Sequence, residues 1–411
     1  MIAPADNVAE RLLNALPFES EDRARFSQLG FPSTRDEDWR FTSLAPIAEL
    51  EFTAAKPDGQ ASLDGCVFSQ IDGPRLVFVN GHFSSTLSSV GSLPSGVEIS
   101  PLAEETTLTP EVMGDFFGAL NVSTFTDGAF VRVPDNMPFD VPVRIYYLST
   151  GAGGATTNIR NHIQVGTNSR LTVLESWSGV DTAYFNNVVT ELHAADNAQV
   201  EHVKLQDEST AAFHIAGLHA KLGRDSRVAH HSLALGGRIA RNNLRMHLNG
   251  TGIAAVLNGL YLPRGGQLID HHMVVNHCQP HCDSHEYFNG ILDEDARAVF
   301  HGRIHVHKGA DKTDAKQTNK NLLLSDNATV DTKPQLEIYA DDVRCTHGAT
   351  IGQMNPEQIF YLRARGINEE AAKRMIMHAF AAEIVQRIQY EPVREELDRL
   401  VWDRLEGMEN V

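Results

Sequence analysis

Four cysteines in 411 residues are too few to staple a chain of this size, so a disulfide framework is excluded as the basis of the fold. No apolar run approaches the ~18 residues a membrane span requires. The first turns of sequence, amphipathic and acidic throughout, lack the charged-then-apolar pattern of a secretory leader. Basic residues are scarce, 35 against 53 acidic ones, for a formal net charge of −18. Nucleic acid and anionic membrane both demand a basic surface, so neither is expected as a partner. Enzyme signatures are missing too. There is no G-x-x-x-x-G-K-[ST] phosphate loop and no G-x-S-x-G, and His285-Glu286 is not followed by a second His at the H-E-x-x-H position. The compartment that fits these absences is the cytoplasm.

What remains is a folded composition, 42% apolar and 7% aromatic, in a chain long enough for two or three domains or one elongated one. Three parts are expected. Residues 1–95 mix helix and turn. Val8, Leu12, Leu13 and Leu16 recur at helical spacing until Pro17, Thr34 is placed to cap a short acidic turn, and Leu76–Phe83 reads as a strand entering a turn. Residues 96–350 change character: short alternating runs are separated by turns that resemble one another. These are Thr167–Leu171, Asp196–Val200, Arg224–Val228 and Asp326–Val330, with weaker copies at Gly250–Gly252 and Asp293–Arg297. A turn-then-strand unit recurring at just under thirty residues predicts a solenoid, here a parallel β-helix. A large β-sandwich is the rival, but its strands need not resemble one another. Residues 351–411 are helical. Asn355-Pro356-Glu357-Gln358 supplies a cap, Gly366 a stop and Asn368 a restart. The following apolar stripe runs Met375, Ile376, Ala379, Phe380, Ile384, Val385 and Ile388, and Pro392 breaks it before a last amphipathic helix.

Fifteen of the 19 histidines lie between His193 and His307. The densest group, His271-His272, His277-Cys278, His281-Cys282 and His285, holds enough nitrogen and sulfur for zinc, but its spacing is not that of a structural zinc site and Pro280 interrupts it. His305 and His307 fall on one strand face. Stacked side-chain ladders along a β-helix explain such residues without a metal, and the group is read as structural. Asp341-Asp342 and Asp293-Glu294-Asp295 offer the paired carboxylates of a polysaccharide-cleaving β-helix, yet acidic turns are ordinarily solvated loops. The sharpest local feature is Cys345-Thr346-His347, which closes the strand-rich region. A thiol and an imidazole two residues apart share a strand face, and both are competent ligands for iron, zinc or copper. A buried Cys beside a hydrogen-bonded His is the plainer reading of the pair taken alone.

Those residues also carry a resemblance. Thr332–Thr350, reading TKPQLEIYADDVRCTHGAT, is similar to the signature of the SufB/SufD family of scaffold subunits in iron–sulfur cluster assembly. So are Gln358–Ile367 (QIFYLRARGI), Ala379–Glu383 (AFAAE), Lys312–Ala315 (KTDA), Asn319–Ser325 (NKNLLLS) and the Asp270-His271-His272 block. The likeness is strong over residues 265–390 and loose elsewhere. The Arg-Cys-Thr-His wording at 344–347 and the Pro32-Ser33-Thr34-Arg35…Trp39 segment resemble the SufD branch more than SufB, whose fuller cysteine complement this chain lacks.

The resemblance implies a right-handed parallel β-helix core flanked by N-terminal and C-terminal helical domains. It implies a non-catalytic scaffold that pairs with a SufB-like subunit through the β-helix and docks a SufC-like ATPase on its C-terminal helices. The missing phosphate loop fits that division of labour. Candidate docking residues on those helices are Ile359, Phe360, Tyr361, Met375 and Phe380. His347 is implied to lie at the SufB interface and to assist formation or iron loading of a nascent cluster, with Cys345 as its neighbour. No cofactor is expected to be held tightly by this chain alone, only transient iron or an Fe–S cluster in the complex. A metal-dependent enzyme built on His271–His285, and a homodimeric binding module, are the competing readings.

Overall fold

The computed structural model describes residues 6–18, 23, 26–102 and 115–408; the opening residues 1–5, part of the segment read above as lacking a leader, lie outside them. From Ala129–Val133 to Arg344–Gly352, sixteen strands alternate between two sheets. Until the coil ends, each is hydrogen-bonded in parallel to the strand two after it in sequence, which makes a β-solenoid of about eight turns. The strand Arg75–Val79, inside the first 95 residues, is itself part of the second sheet, paired with Val143–Ser149.

The turns explain why the sequence repeats. Asn168, Asn197 and Asp225 all sit at φ of 55–57°, the left-handed region that Asn and Asp tolerate better than other side-chain-bearing residues. Asn136, Gly252, His281 and Lys312 continue the column. Each turn hands a backbone N–H to the next: Asn168 to Asp196 O at 3.0 Å, Asn197 to Arg224 O at 2.7 Å, Asp225 to Thr251 O at 2.8 Å. Asn197 Nδ2 also donates to Asn168 Oδ1 at 2.9 Å. The turns at Asp293–Arg297 and Asp326–Val330, grouped with these on sequence alone, stack instead on the opposite edge, where Asn327 Nδ2 donates to Asp295 Oδ1 at 2.9 Å. Residues that look alike in sequence thus occupy two different edges of the coil.

Strands apolar on both faces are sandwiched on both faces. In Gln199–Asp207, Val200 lies in the lumen core while Val203 and Leu205 join the outer cluster with the C-terminal helices. Each fully buried Leu or Val there contributes about 1.5–3 kcal/mol. On the outer face of the first sheet, Val8 and Leu12 of the helix Asp6–Ala15, and Leu16 just beyond it, pack with Trp39, Phe116, Phe117, Phe185 and Phe213. The short 3₁₀ turn Glu37–Trp39 is preceded by Asp36 at the N-cap position, not Thr34, because the Asp36 carboxylate accepts from Ser33 N–H at 2.7 Å and fixes the entry.

The C-terminal helices Pro356–Arg363, Glu369–Val385 and Glu391–Arg404 start where their caps direct: Asn355 accepts from Glu357 N–H, and Asn368 from Ala371 N–H. One expectation fails here. The middle helix ends at Val385, well before Pro392, which sits in the first turn of the last helix, where its missing N–H costs nothing. The buried face of the middle helix is Ala372, Met377, Ala381, Ile384 and Val385; of the rest of the stripe, Met375 and Ala379 are exposed, and Phe380 is half-buried against the same cluster.

Candidate functional site: the open end of the solenoid

The solenoid ends on two unpaired edges. The first sheet terminates at Thr329–Ile338 and the second at Arg344–Gly352. Register fixes which way the last strand points. Arg344 N–H donates to Thr313 O at 2.8 Å, and the two-residue period of a parallel ladder sends the Thr346, Gly348 and Thr350 amides inward to the same neighbour. The N–H and C=O groups of Cys345, His347, Ala349 and Ile351 therefore face outward along the open edge. The approach to this strand is held by the Lys312–Asp342 ion pair and by Lys312 N–H on Asp342 O at 2.6 Å.

Cys345 lies opposite Ala315 and His347 opposite Gln317. Ala315 and Gln317 are buried, so both side chains of the pair sit on the lumen side of the terminal strand, as their spacing predicts. Their environments differ. Cys345 is half-buried against the cluster Ile304, Val306, Ala310 and Ala315. Burial pushes its thiol pKa up, which the nearby Ala315 N–H only partly offsets. A thiol so placed is a poor thiolate until a metal displaces its proton. His347 is exposed at the mouth, and an imidazole there can take a metal without first being extracted from a core.

One and two turns below His347, in the same lumen column, lie Gln317 and Glu286. Gln317 Nε2 donates to Glu286 Oε2 at 2.6 Å. Glu286 is wholly enclosed, and burial pushes its carboxyl up to about 7 despite that hydrogen bond. Sequence reasoning passed over both residues. Their only signal is alternation in step with Cys345 and His347, visible once the register is known.

Deeper in, the lumen is polar along its axis. Trp177 Nε1 donates to Glu175 Oε1 at 2.5 Å, and Glu175 Oε2 meets His202 Nε2 at 2.9 Å. Lys204 Nζ lies 2.9 Å from His214 Nε2 and 3.0 Å from Asn242 Oδ1. Burial alone would raise the Glu175 carboxyl, but His202, Lys204 and Trp177 outweigh it and hold it at about 2.

The histidines between 271 and 285 are dispersed. His271 is in the lumen against Tyr261 and Phe288, and burial takes it down to about 3. His277 is also enclosed, 2.8 Å from Ser284 Oγ. His272 is on the outer face, His281 in a turn, and His285 beside Asp314 at 3.7 Å. Cys282 is buried in the solenoid core. His305 and His307 stack with ring centroids 4.2 Å apart. Two other groups, Asp38–His272–His301 and His162–Glu191–His193, bring ligand atoms within 4.8 Å of one another. Each already serves an ion-paired arginine: Arg241 Nη2 reaches His272 Nδ1 at 3.1 Å, and Arg160 Nη2 reaches Glu191 Oε1 at 3.0 Å.

At the C-terminal helices, Tyr361, Leu362, Met375, Ile376, Ala379 and Phe380 line a groove of about 760 Å³. The helix Pro356–Arg363 buries no residue; Phe360 is 74% exposed, Tyr361 57% and Met375 41%. Ile359 and Phe380 are half-buried, and Phe380 is tied to the second sheet by Asn289 Nδ2 on its carbonyl at 2.9 Å. No helix among the described residues is long and apolar enough to cross a membrane.

Comparison with known proteins places this architecture. Residues 147–380 match the family model described as the SufBD core domain of SUF-system FeS cluster assembly, and residues 8–145 match the SufBD protein N-terminal region. The chain is 33% identical over 382 residues to the iron–sulfur cluster assembly protein SufD of Escherichia coli, covering 92% of this chain and 90% of that protein. It is 33% identical over 385 residues to an iron–sulfur cluster assembly SufBD family protein of Synechocystis, covering 88% and 84%. Against one from Mycobacterium leprae it is 30% identical over 379 residues, covering 89% and 88%. With two family models spanning nearly its whole length and full-length relatives of this kind, the chain belongs to the SufBD family of iron–sulfur cluster assembly proteins, as a SufD-like member.

Proposed function

We propose that this chain is the SufD-like scaffold of an iron–sulfur assembly complex, pairing with a SufB-like subunit through the open end of its solenoid. The observation that carries the reading is a coincidence of place. The half-buried Cys345 and exposed His347 sit together on the last strand of the second sheet, an edge whose outward amides and carbonyls meet no further strand among the described residues. A partner strand added there would complete the ladder and close a ligand site over the pair. His347 and, more weakly, Cys345 would then share iron or a nascent cluster with partner thiolates. Iron and cluster are cargo here, and an imidazole beside a high-pKa thiol suits ligation that must later be released. The same unpaired edges offer a second copy of this chain an equivalent ladder, so an isolated chain that dimerises is consistent with this seam.

The groove of Tyr361, Met375 and Phe380 is the proposed dock for a SufC-like ATPase. An apolar, half-open groove between the exposed helix Pro356–Arg363 and a helix that already buries its opposite face reads as an interaction surface. ATP hydrolysis would belong to that partner. The test is co-production with SufB-like and SufC-like subunits, purification of the assembly, and measurement of cluster content. His347→Ala is expected to leave the assembly intact and to abolish most cluster loading. Unchanged loading in that variant removes His347 from the site.

A further inference from the structure

We propose that Gln317 is the positioning residue of the His347 site: its side-chain carbonyl accepts the ring N–H of His347 and leaves the other ring nitrogen free to hold iron at the mouth of the solenoid. The inference rests on the role given to His347 above, and it adds a residue with no ligand role of its own.

Three observations converge on it. Gln317 is directly opposite His347 on the neighbouring strand, and parallel strands lie about 4.8 Å apart with opposed side chains on one face. An imidazole turned toward the lumen about its side-chain torsions would point a ring nitrogen at the Gln317 amide. Second, the amide has a fixed sense. Its nitrogen donates downward to Glu286 Oε2 at 2.6 Å, and an amide nitrogen can only donate. The carbonyl is then the branch left over. Among the described residues, Gln317 Oε1 is buried without a hydrogen-bond partner, and such an acceptor is costly unless something donates to it.

Third, the opposite wall makes room for this arrangement. Gly302, on the first sheet, faces the amide across the lumen. A Cβ added there would meet Gln317 Nε2 at 2.0 Å and Cδ at 2.6 Å. Any larger residue at 302 would force the amide out of the position that Glu286 holds.

The chemistry is that of an oriented histidine ligand. A metal-binding imidazole almost always donates its second N–H to a carbonyl or carboxylate, which sets the tautomer and strengthens the ligand, and loss of that acceptor typically costs about 10- to 100-fold in affinity or activity. Here the order would be His347 N–H to Gln317 Oε1, then Gln317 Nε2–H to Glu286. Gln317 touches the histidine and not the iron.

The experiment uses the co-produced assembly with SufB-like and SufC-like subunits, titrated with ferrous iron in the presence of a sulfide source, reading iron bound and cluster absorption. Gln317→Met, which keeps length and removes the acceptor, is expected to raise the iron concentration for half-loading by about 10- to 100-fold, with the thermal midpoint held or raised. Gly302→Ala should shift loading in the same direction. Gln317→Glu, which restores an acceptor, should recover loading. If His347→Ala abolishes loading while Gln317→Met loads normally, the positioning role is wrong and the site stands. If His347→Ala also loads normally, both readings fall. If Gln317→Met loses loading only in step with its thermal midpoint and Gln317→Glu does not recover it, Gln317 is structural and the inference is overturned.

Discussion

Replacing Ala349 with proline should cut the affinity for a SufB-like partner sharply while leaving the chain folded. The direction of each amide in Arg344–Gly352 follows from the bond between Arg344 N–H and Thr313 O at 2.8 Å. Odd-numbered residues from Cys345 to Ile351 point their amides away from the sheet. Ala349 is one of them, and its side chain is exposed, so a pyrrolidine ring meets no wall. The residue before it is Gly348, which tolerates the extended conformation that proline imposes on its predecessor. Edge strands accept proline where the lost N–H faces solvent, so the change in the chain's own stability should stay within about 1 kcal/mol. At a strand-to-strand seam the cost is different. One partner carbonyl loses its donor, worth about 1–3 kcal/mol, and the ring intrudes between strands. A total of about 2–4 kcal/mol weakens binding by roughly 30- to 1000-fold. Thr346→Pro is the internal control. Its amide points inward to the strand Asp314–Leu323, so it should lower the chain's own stability by about 3 kcal/mol or more. Thermal unfolding of the free chains and partner binding by titration separate the two effects. Full-affinity binding by Ala349→Pro would show that the partner does not add a strand at this edge.

Met375→Lys, at the rim of the groove beside Tyr361 and Phe380, should abolish capture of a SufC-like ATPase while moving stability by no more than about 0.5 kcal/mol; a pull-down with the purified ATPase and a melting curve decide it. Glu286 has a folded pKa of about 7, raised by burial above the reference 4.5. Protonated in the fold, it contributes fully below the unfolded value, and that contribution is lost as pH rises through about 7. Glu286→Gln should therefore remove a decline in stability, on the order of 3 kcal/mol at most, between about pH 4.5 and 7, measured by denaturant titration across that range. Asn197→Ala places a Cβ-bearing residue without a polar side chain at φ 55° and should cost about 1–2 kcal/mol, whereas Asn197→Gly should be close to neutral; comparison of their unfolding midpoints tests the left-handed turn column.

Local signals in the sequence were sufficient where the physics is local. Asn355, Asn368 and Gly366 set the helix boundaries, and the Asn168, Asn197 and Asp225 turns disclose the coil, because caps and left-handed turns depend on one or two residues. The shared face of Cys345 and His347 follows from strand period alone. What could not be read was anything that depends on cross-coil register. The step between ladder partners varies along the solenoid, 26 residues from Phe213 to Ile239 but 32 from Arg297 to Thr329. No fixed repeat therefore places Gln317 beneath His347. The same limit assigned Asp326–Val330 to the wrong edge. An apolar helix face such as Met375–Phe380 reports that it will be covered, not by which molecule.

The open end also accounts for the chain's poverty in cysteine. A resident cluster site would need several thiolates converging in one fold, and the other three cysteines are placed for other ends: Cys282 lies in the core, Cys278 is half-buried with its thiol raised by burial, and Cys66 packs against the C-terminal cluster. Cys345 and His347 stand together on the terminal strand, at an edge where further ligands could arrive. Under the proposed function, a lone imidazole and a half-buried thiol would bind iron weakly until a partner supplied the remaining ligands. Affinity would then be created by assembly and lost when the subunits part. In such a design the buried residues that aim His347 matter more than additional ligands on this chain, because a single ligand must already be oriented when the partner strand closes over it.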